Sequence, residues 1–175
     1  MQSIQTVSEN TIYVGASDRR LAKFENLFPI PRGVSYNAYV ILDEKTALLD
    51  TADASVGAQF LENVAAALDG RKLDYLIVDH MEPDHAAMIE AVLVRWPDLR
   101  LVVNAKTLPM LKMYFPTDSA AIDDALVVKE GDTLDLGKHK LTFVMAPMVH
   151  WPEVMMTFDT TTGTPVSYTH LTLPT

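Results

Sequence analysis

The run Tyr75-Leu-Ile-Val78 is almost wholly apolar and stops abruptly at Asp79-His80-Met81-Glu82-Pro83-Asp84-His85. A strand without polar alternation is one buried on both faces, so the chain needs a layer of structure on each side of it. The flanking sequence supplies candidates for both. Upstream, Thr11–Val14 alternates and is β-branched, and Val34–Leu42 is a longer β-like run. Thr46–Leu49 follows it after the charged turn Asp43-Glu44-Lys45, which predicts a hairpin. From Ser55 to Leu68 the residues Val56, Phe60, Val64 and Leu68 recur every four positions, flanked by Leu61 and Ala65 and closed by Asp69-Gly70. That is one apolar face of a helix with its stop signal. Downstream the pattern predicts a helix over Ala86–Arg95, ended before Pro97, a strand Leu101–Asn104 and a short helix Leu108–Tyr114. Strands follow near Ala125–Val128, Thr133–Leu136, Lys140–Val144 and Val154–Phe158. A meander that gives way to alternating strands and helices predicts an α/β (α+β) layered fold with a mixed sheet, and functional loops at the C-terminal ends of its strands.

Composition narrows the function. The chain of 175 residues is 49% hydrophobic and 21% charged, which suits one globular core, and no repeat or Gly/Ser linker divides it. Its 14 basic and 23 acidic residues give a net charge of −9 with no basic block, which argues against a nucleic-acid or anionic-membrane surface. With no Cys, disulfides, thiolate metal sites and cysteine nucleophiles are excluded, and any metal is left to His and carboxylates. The N-terminus has neither a basic n-region nor an apolar h-region, and no apolar run approaches the roughly 20 residues a bilayer requires, so a cytoplasmic protein is expected. The uncharged tail Val166-Ser-Tyr-Thr-His-Leu-Thr-Leu-Pro-Thr175 breaks the texture of the rest. It resembles one reading frame of a transposon-end adapter used in sequencing libraries. Residues 1–164 are therefore expected to be native and 165–175 an artefactual tail, which removes His170 from the candidate ligands.

The chemistry concentrates in His80-x-Glu82-x-Asp84-His85. In an extended loop, residues at i, i+2 and i+4 point the same way, so His80, Glu82 and Asp84 are expected to face one point and His85 a neighbouring one. Four ligand-type side chains on a rigid strand end, with Pro83 fixing a backbone dihedral, suit two metal ions about 3.5–4 Å apart. A purely structural reading also exists: solvated loop residues, with Asp84 as N-cap of the next helix. A further histidine, His150, follows the strand Leu141–Val144 in Ala146-Pro-Met-Val-His-Trp-Pro-Glu153, at an equivalent strand end. Trp151 either shapes a pocket beside His150 or packs under the loop.

These segments resemble the flavodiiron proteins, or A-type flavoproteins, whose N-terminal domain has the metallo-β-lactamase fold, an αββα sandwich. The resemblance runs from Thr11 to Gly163. It is carried by Gly33-Val-Ser-Tyr-Asn-Ala-Tyr39, Thr46-Ala-Leu-Leu-Asp50-Thr51, His80-Met-Glu-Pro-Asp-His85, Lys129-Glu-Gly-Asp-Thr-Leu-Asp-Leu-Gly137 and His150-Trp-Pro-Glu-Val-Met-Met156. The wider superfamily has His where Glu82 stands, and that exchange marks the diiron branch. Chemically, a carboxylate in place of an imidazole hardens the ligand set and adds charge, favouring iron or manganese over zinc.

The resemblance implies that His80, Glu82 and His150 ligate one iron while Asp84 and His85 serve the other, His85 not being a ligand in every member. His139 has no counterpart in the motif and is expected in a solvated turn between Lys138 and Lys140. The family's bridging Asp, a further His ligand and the flavodoxin-like FMN domain are expected beyond Gly163, so the sandwich is expected to be incomplete, lacking its second half. The implied parent is an FMN-dependent diiron oxidoreductase of oxygen and nitric oxide detoxification, reducing O2 to water, NO to N2O, or both. It would receive electrons from a rubredoxin-like or other reductase and work as a head-to-tail homodimer. The alternatives are a binuclear metal hydrolase of the same fold, against which Glu82 argues, and an inactive fragment, since the site would lack two ligands.

Overall fold

In the computed structural model, residues 3–24, 26–116 and 119–165 are described; the uncharged tail from Val166, with His170, lies outside them. A seven-stranded sheet forms the centre. Its strands are β1 (Gln5–Ser8), β2 (Thr11–Tyr13), β7 (Tyr39–Leu42), β8 (Thr46–Leu49), β9 (Tyr75–Ile77), β10 (Arg100–Asn104) and β11 (Leu126–Val128), paired in that order. Two small antiparallel pairs lie between β2 and β7 in sequence: β3 (Ala16–Asp18) with β6 (Val34–Tyr36), and β4 (Lys23–Phe24) with β5 (Phe28–Pro29). The pairings β1 to β8 are antiparallel, and those from β8 to β11 parallel, with Leu49 level with Ile77 and Ile77 level with Val102. A second, antiparallel sheet holds β12 (Thr133–Asp135), β13 (Lys140–Met145), β14 (Met155–Asp159) and β15 (Thr164–Pro165). The helices are α1 (Gly57–Leu68), α2 (Pro83–Ala86), α3 (Ile89–Arg95), α4 (Thr107–Tyr114) and α5 (Ser119–Asp123).

The period of two in the central strands divides the core into two clusters. Leu48, Leu76, Leu101 and Val103 point to one side, where they meet Phe60, Val64 and Leu68 of α1, Ile89 and Val92 of α3 and Leu111 of α4. Ala47, Leu49, Ile77 and Val102 point to the other, against Leu141, Phe143 and Met155 of the second sheet. Every apolar side chain that a helix buries belongs to the first cluster. The layers among the described residues are therefore helices, seven-stranded sheet and four-stranded sheet, three of the four in the expected αββα sandwich. On the far side of the second sheet Thr142, Val144, Met156 and Phe158 are half-buried. Among the described residues no helix is long and apolar enough to cross a membrane.

Two expectations about helices change. The Ser55–Leu68 helix is a 3-10 turn over Ala54–Val56, capped by Asp53 Oδ1 accepting from Ser55 N at 2.8 Å, followed by α1. The Ala86–Arg95 helix is split into α2 and α3. The cause is Thr51: its N–H and its hydroxyl both donate to the His85 carbonyl, at 2.8 and 2.6 Å, and its Oγ1 accepts from Met88 N at 3.3 Å. The carbonyl that would continue the helix is thereby drawn to the end of β8.

His139 does not sit in a solvated turn. It is 3% exposed, and its Nδ1 lies 2.8 Å from Asp159 Oδ2, while its backbone N–H donates to Asp43 Oδ2 at 2.6 Å. Gly137, at φ +125°, lets this turn close on the β7–β8 hairpin, where a Cβ would stand 2.7 Å from Glu44 Cγ. Flanking lysines concealed a buried residue because side chains on either side of it in a turn face opposite ways.

Two stability outcomes follow. Phe143→Ala, which empties space between the sheets, should cost about 3–5 kcal/mol in urea unfolding; a loss under about 1 kcal/mol would contradict the packing described. Burial works to raise the Asp159 carboxyl, but hydrogen bonds from His139 and Thr162 outweigh it and hold it below its ordinary value. Its contribution is present above the ordinary carboxylate value and disappears as pH falls through the lowered one. Asp159→Ala should thus destabilise at neutral pH by about 1–3 kcal/mol and lose that effect in acid unfolding.

Candidate metal centre

The parallel strands end at one edge, and the polar residues that follow them converge there. Asp50 and Thr51 follow β8, Asp79 to His85 follow β9, Asn104 ends β10, and the loop from Ala146 to Val154 joins β13 to β14. The second sheet is tied to this edge by Met155 N donating to Asp79 O at 3.0 Å and by Thr157 Oγ1 donating to Asp79 Oδ1 at 2.8 Å.

The innermost group is His80, Glu82 and His150, whose ligand atoms lie within 4.8 Å of one another. Glu82 Oε2 stands between the two histidines, 3.1 Å from His80 Nε2 and 2.8 Å from His150 Nε2. His80 is fully buried and Glu82 is 2% exposed, whereas the His150 side chain is 37% exposed and closes the site from outside. His150 reaches it from a tight turn in which Met148 and His150 both take positive φ, +64° and +84°, a costly backbone for non-glycine residues. Of the two roles considered for Trp151 the structure shows the packing one: it lies partly buried against the core, edge-on to His80 with centroids 5.2 Å apart and tilted to His150 at 6.1 Å.

Asp84 and His85 form a second group. His85 Nε2 is 3.7 Å from Asp84 Oδ2, and its ring centroid is 5.2 Å from that of His80. They do not continue an extended i, i+2, i+4 array. Glu82 is extended (φ −63°, ψ 145°), but Pro83 opens the helical turn α2, which rotates Asp84 and His85 away from the line of His80 and Glu82. Glu82, not Asp84, occupies the N-cap position, and its side chain makes no capping bond.

Three buried carboxylates that the motif alone did not single out complete the site. Asp50, at φ +55°, accepts from Asp79 N at 2.7 Å and lies 2.9 Å from His85 Nδ1. Glu153 Oε1 is 2.8 Å from His80 Nδ1 and accepts from Met81 N at 3.1 Å. Asp79 links the sheets as described. A usable signal was present: Asp50 and Asp79 each follow an apolar strand run directly, and Glu153 closes the His150 segment.

The electrostatics are lopsided. Asp50, Asp79, Glu82, Asp84 and Glu153 are all at most 8% exposed, and even with His80, His85 and His150 all protonated the balance is 3 − 5 = −2. Burial raises the Asp84 carboxyl and the neighbouring Glu82 adds to this, against the pull of His85. Burial alone would lower His80, but hydrogen bonds to Glu153 and Glu82 outweigh it and lift the imidazole to about 9. His85 is raised in the same way, with Asp50 overcoming burial. Asp84 Oδ1 is buried without a hydrogen-bond partner, a state that costs a carboxylate several kcal/mol by order of magnitude unless a cation meets it. An oxygen-rich, negatively charged set with imidazole nitrogens suits a divalent metal with hard character. Beside it opens a cleft of about 330 Å³ lined by Leu21, Phe24, Tyr36, Asp53, Glu82 and Asp84. Burial and the nearby Asp53 push the Tyr36 phenol up to about 12.

Comparison with known proteins gives the same picture. The model of the ODP family beta lactamases matches residues 34–167. A nitric oxide reductase of Moorella thermoacetica is 36% identical over 154 residues, covering 87% of this chain and 38% of its own length. The anaerobic nitric oxide reductase flavorubredoxin of Klebsiella pneumoniae is 35% identical over 156 residues, covering 88% of this chain and 32% of its own. Among solved structures, rubredoxin oxygen:oxidoreductase from Desulfovibrio gigas superposes with a TM-score of 0.83 at 31% identity, over 90% of this chain and 38% of that one. The flavodiiron protein from Giardia intestinalis does so with a TM-score of 0.83 at 26% identity. The chain thus spans well under half the length of the relatives it matches. A family model that covers so much of the sequence settles the assignment: the chain belongs to the ODP family of beta-lactamase-like domains, whose flavodiiron members it resembles in both sequence and fold.

Proposed function

We propose that residues 1–164 form the metal-binding part of a diiron oxidoreductase, with His80, Glu82 and His150 holding one iron and Asp84 and His85 serving the second. The observation that carries this reading is Glu82 Oε2 set between His80 Nε2 and His150 Nε2, with the uncompensated charge of the surrounding carboxylates. When bound, two ferrous ions supply the electrons and the Lewis acidity for reducing a diatomic substrate. The chain's own groups prepare the site for them. Asp84 offers a buried oxygen that no other group satisfies. Leu21 and Phe24 contribute apolar surface to the cleft, and Tyr36, its phenol raised to about 12, keeps its proton and lines the same cleft as a hydrogen-bonding group.

In this reading the parent protein works in the cytoplasm on dioxygen or nitric oxide. The names of the Moorella, Klebsiella and Desulfovibrio relatives support that substrate pair and a rubredoxin-like electron donor. FMN is placed outside residues 1–164, in a flavodoxin-like domain, and a head-to-tail homodimer would bring one subunit's flavin to the other's irons.

The test is anaerobic titration of the purified chain with Fe(II). At least one ion per chain should bind, at His80, Glu82 and His150, with Glu82→Ala and His150→Ala each losing it and the remote Asp135→Ala losing none. Preferential zinc binding with iron excluded would overturn the diiron reading in favour of a hydrolase.

pH supplies a second outcome. His80 rises from 6.5 to about 9 in the folded, metal-free protein, so its contribution is complete below 6.5 and is lost as pH climbs to about 9. His85 shifts in the same direction. Metal-free protein should therefore lose unfolding free energy between pH 6.5 and 9, while metal affinity rises over that window as uptake displaces protons. Flat profiles for both quantities would contradict the site's electrostatics.

A further inference from the structure

Glu153 lies outside the ligand set and belongs to the chain segment that follows His150, yet its carboxylate reaches across to the loop after β9. One oxygen, Oε1, meets both His80 Nδ1 at 2.8 Å and Met81 N at 3.1 Å. Its backbone carbonyl accepts from Asn104 Nδ2 at 2.5 Å, and Asn104 Oδ1 in turn accepts from Lys106 N and Thr107 N at the start of α4. Three strand ends, those of β9, β10 and β14, are thus joined through one residue that is 1% exposed. Asn104 is itself 5% exposed, so both partners of this contact are buried.

The consequence concerns which nitrogen His80 offers. The oxygen that meets His80 already accepts from the backbone N–H of Met81 at 3.1 Å, so Oε1 stands in this junction as an acceptor. An oxygen that accepts from a backbone N–H on one side is an acceptor for the imidazole on the other, so in the 2.8 Å contact Nδ1 is the donor. The Nδ1–H tautomer leaves the lone pair on Nε2, the nitrogen that faces Glu82 Oε2 at 3.1 Å and belongs to the same cluster as His150. A neutral imidazole free of this contact would divide between two tautomers, one of which turns an N–H toward the other ligands. The same residue sets the separation of the two ligand-bearing loops, since it lies three positions from His150 in sequence and in contact with His80.

We propose that Glu153 is the positioning residue of this centre: it fixes the Nδ1–H tautomer of His80, presents Nε2 to the metal, and with Asn104 locks the His150 loop at ligating distance from the β9 loop. The inference rests on the metal reading above for its consequence but not for its geometry, and the two can fail separately.

The experiment uses the 175-residue chain labelled with ¹⁵N-histidine, with Glu153→Gln and Glu153→Ala. In metal-free protein held at a pH where the imidazole is neutral, long-range ¹H–¹⁵N spectra should show His80 protonated at Nδ1 in the wild type. The preference should persist in Glu153→Gln, whose amide oxygen can still accept, and be lost in Glu153→Ala. Calorimetric titration with Mn(II) or Fe(II) should then show roughly 10–100-fold weaker binding for Glu153→Ala, with Glu153→Gln falling between the two. A retained native circular dichroism spectrum in Glu153→Gln keeps the test valid if the alanine variant fails to fold. A His80 protonated at Nε2 in the wild type, or variants that bind metal as the wild type does, would overturn the proposal. A wild type that binds neither metal yet loses the tautomer in Glu153→Ala would sink the metal reading and leave the positioning role standing.

Discussion

Buried carboxylates at the ends of parallel strands are the constraint on which the rest of this structure depends. Asp50, Asp79, Glu82, Asp84 and Glu153 crowd together with at most 8% of each residue exposed, and each must be held against its own desolvation and against the others. The fold meets that demand by drawing donors from different elements. Asp50 takes the N–H of Asp79, Asp79 takes the hydroxyl of Thr157 from the second sheet, and Glu153 takes the N–H of Met81. These contacts cross between strands, so the geometry of the site and the alignment of the two sheets are one property. The leftover negative charge is what a pair of divalent ions would cancel, which makes the metal-free protein a proton-holding form of the same site.

The rigid part of the scaffold explains why the ligands need so little local structure of their own. Leu76 and Ile77 are packed on opposite faces, one under the helices and one under the second sheet. The chain leaving that strand is fixed in position and direction before it reaches His80. Thr51 then takes the His85 carbonyl out of the helix that would otherwise run on, which ends α2 after a single turn and leaves Asp84 and His85 beside the first group without sharing its line. Glu82 matters most at this point, because its carboxylate stands between two histidines and gives the group a hard, anionic oxygen.

Much of this was legible in the residues. The hairpin of β7 and β8, the amphipathic α1 and the doubly buried β9 carry strong periodic signals, because each buries apolar area at a spacing that only one kind of element produces. His80, Glu82 and His150 were also readable as a candidate group, the first two through their spacing after a buried strand and the third through an equivalent strand end, and the fold brings the three together. The split between α2 and α3 was not, because the hydroxyl that causes it lies 34 residues away. Nor was the burial of His139: its neighbours are lysines, and its partner Asp159 comes from another strand. Local pattern reports what a residue's neighbours prefer and is silent on a hydrogen bond that closes over a long loop.

The sequence by itself determined the layered α/β class, the strand ends at which chemistry would gather, and a metal site built from His and carboxylates, since a chain without cysteine has no other ligands of comparable strength. Only the tertiary structure decided how those groups are partitioned and oriented: that a helical turn begins between Glu82 and Asp84, that Asp50 and Glu153 stand behind the two buried histidines, and that the second sheet is bonded to Asp79. The physical reason is that ligand type is a property of one side chain, whereas the direction of a lone pair is set by whichever group occupies the opposite nitrogen. In this fold that group arrives from another strand.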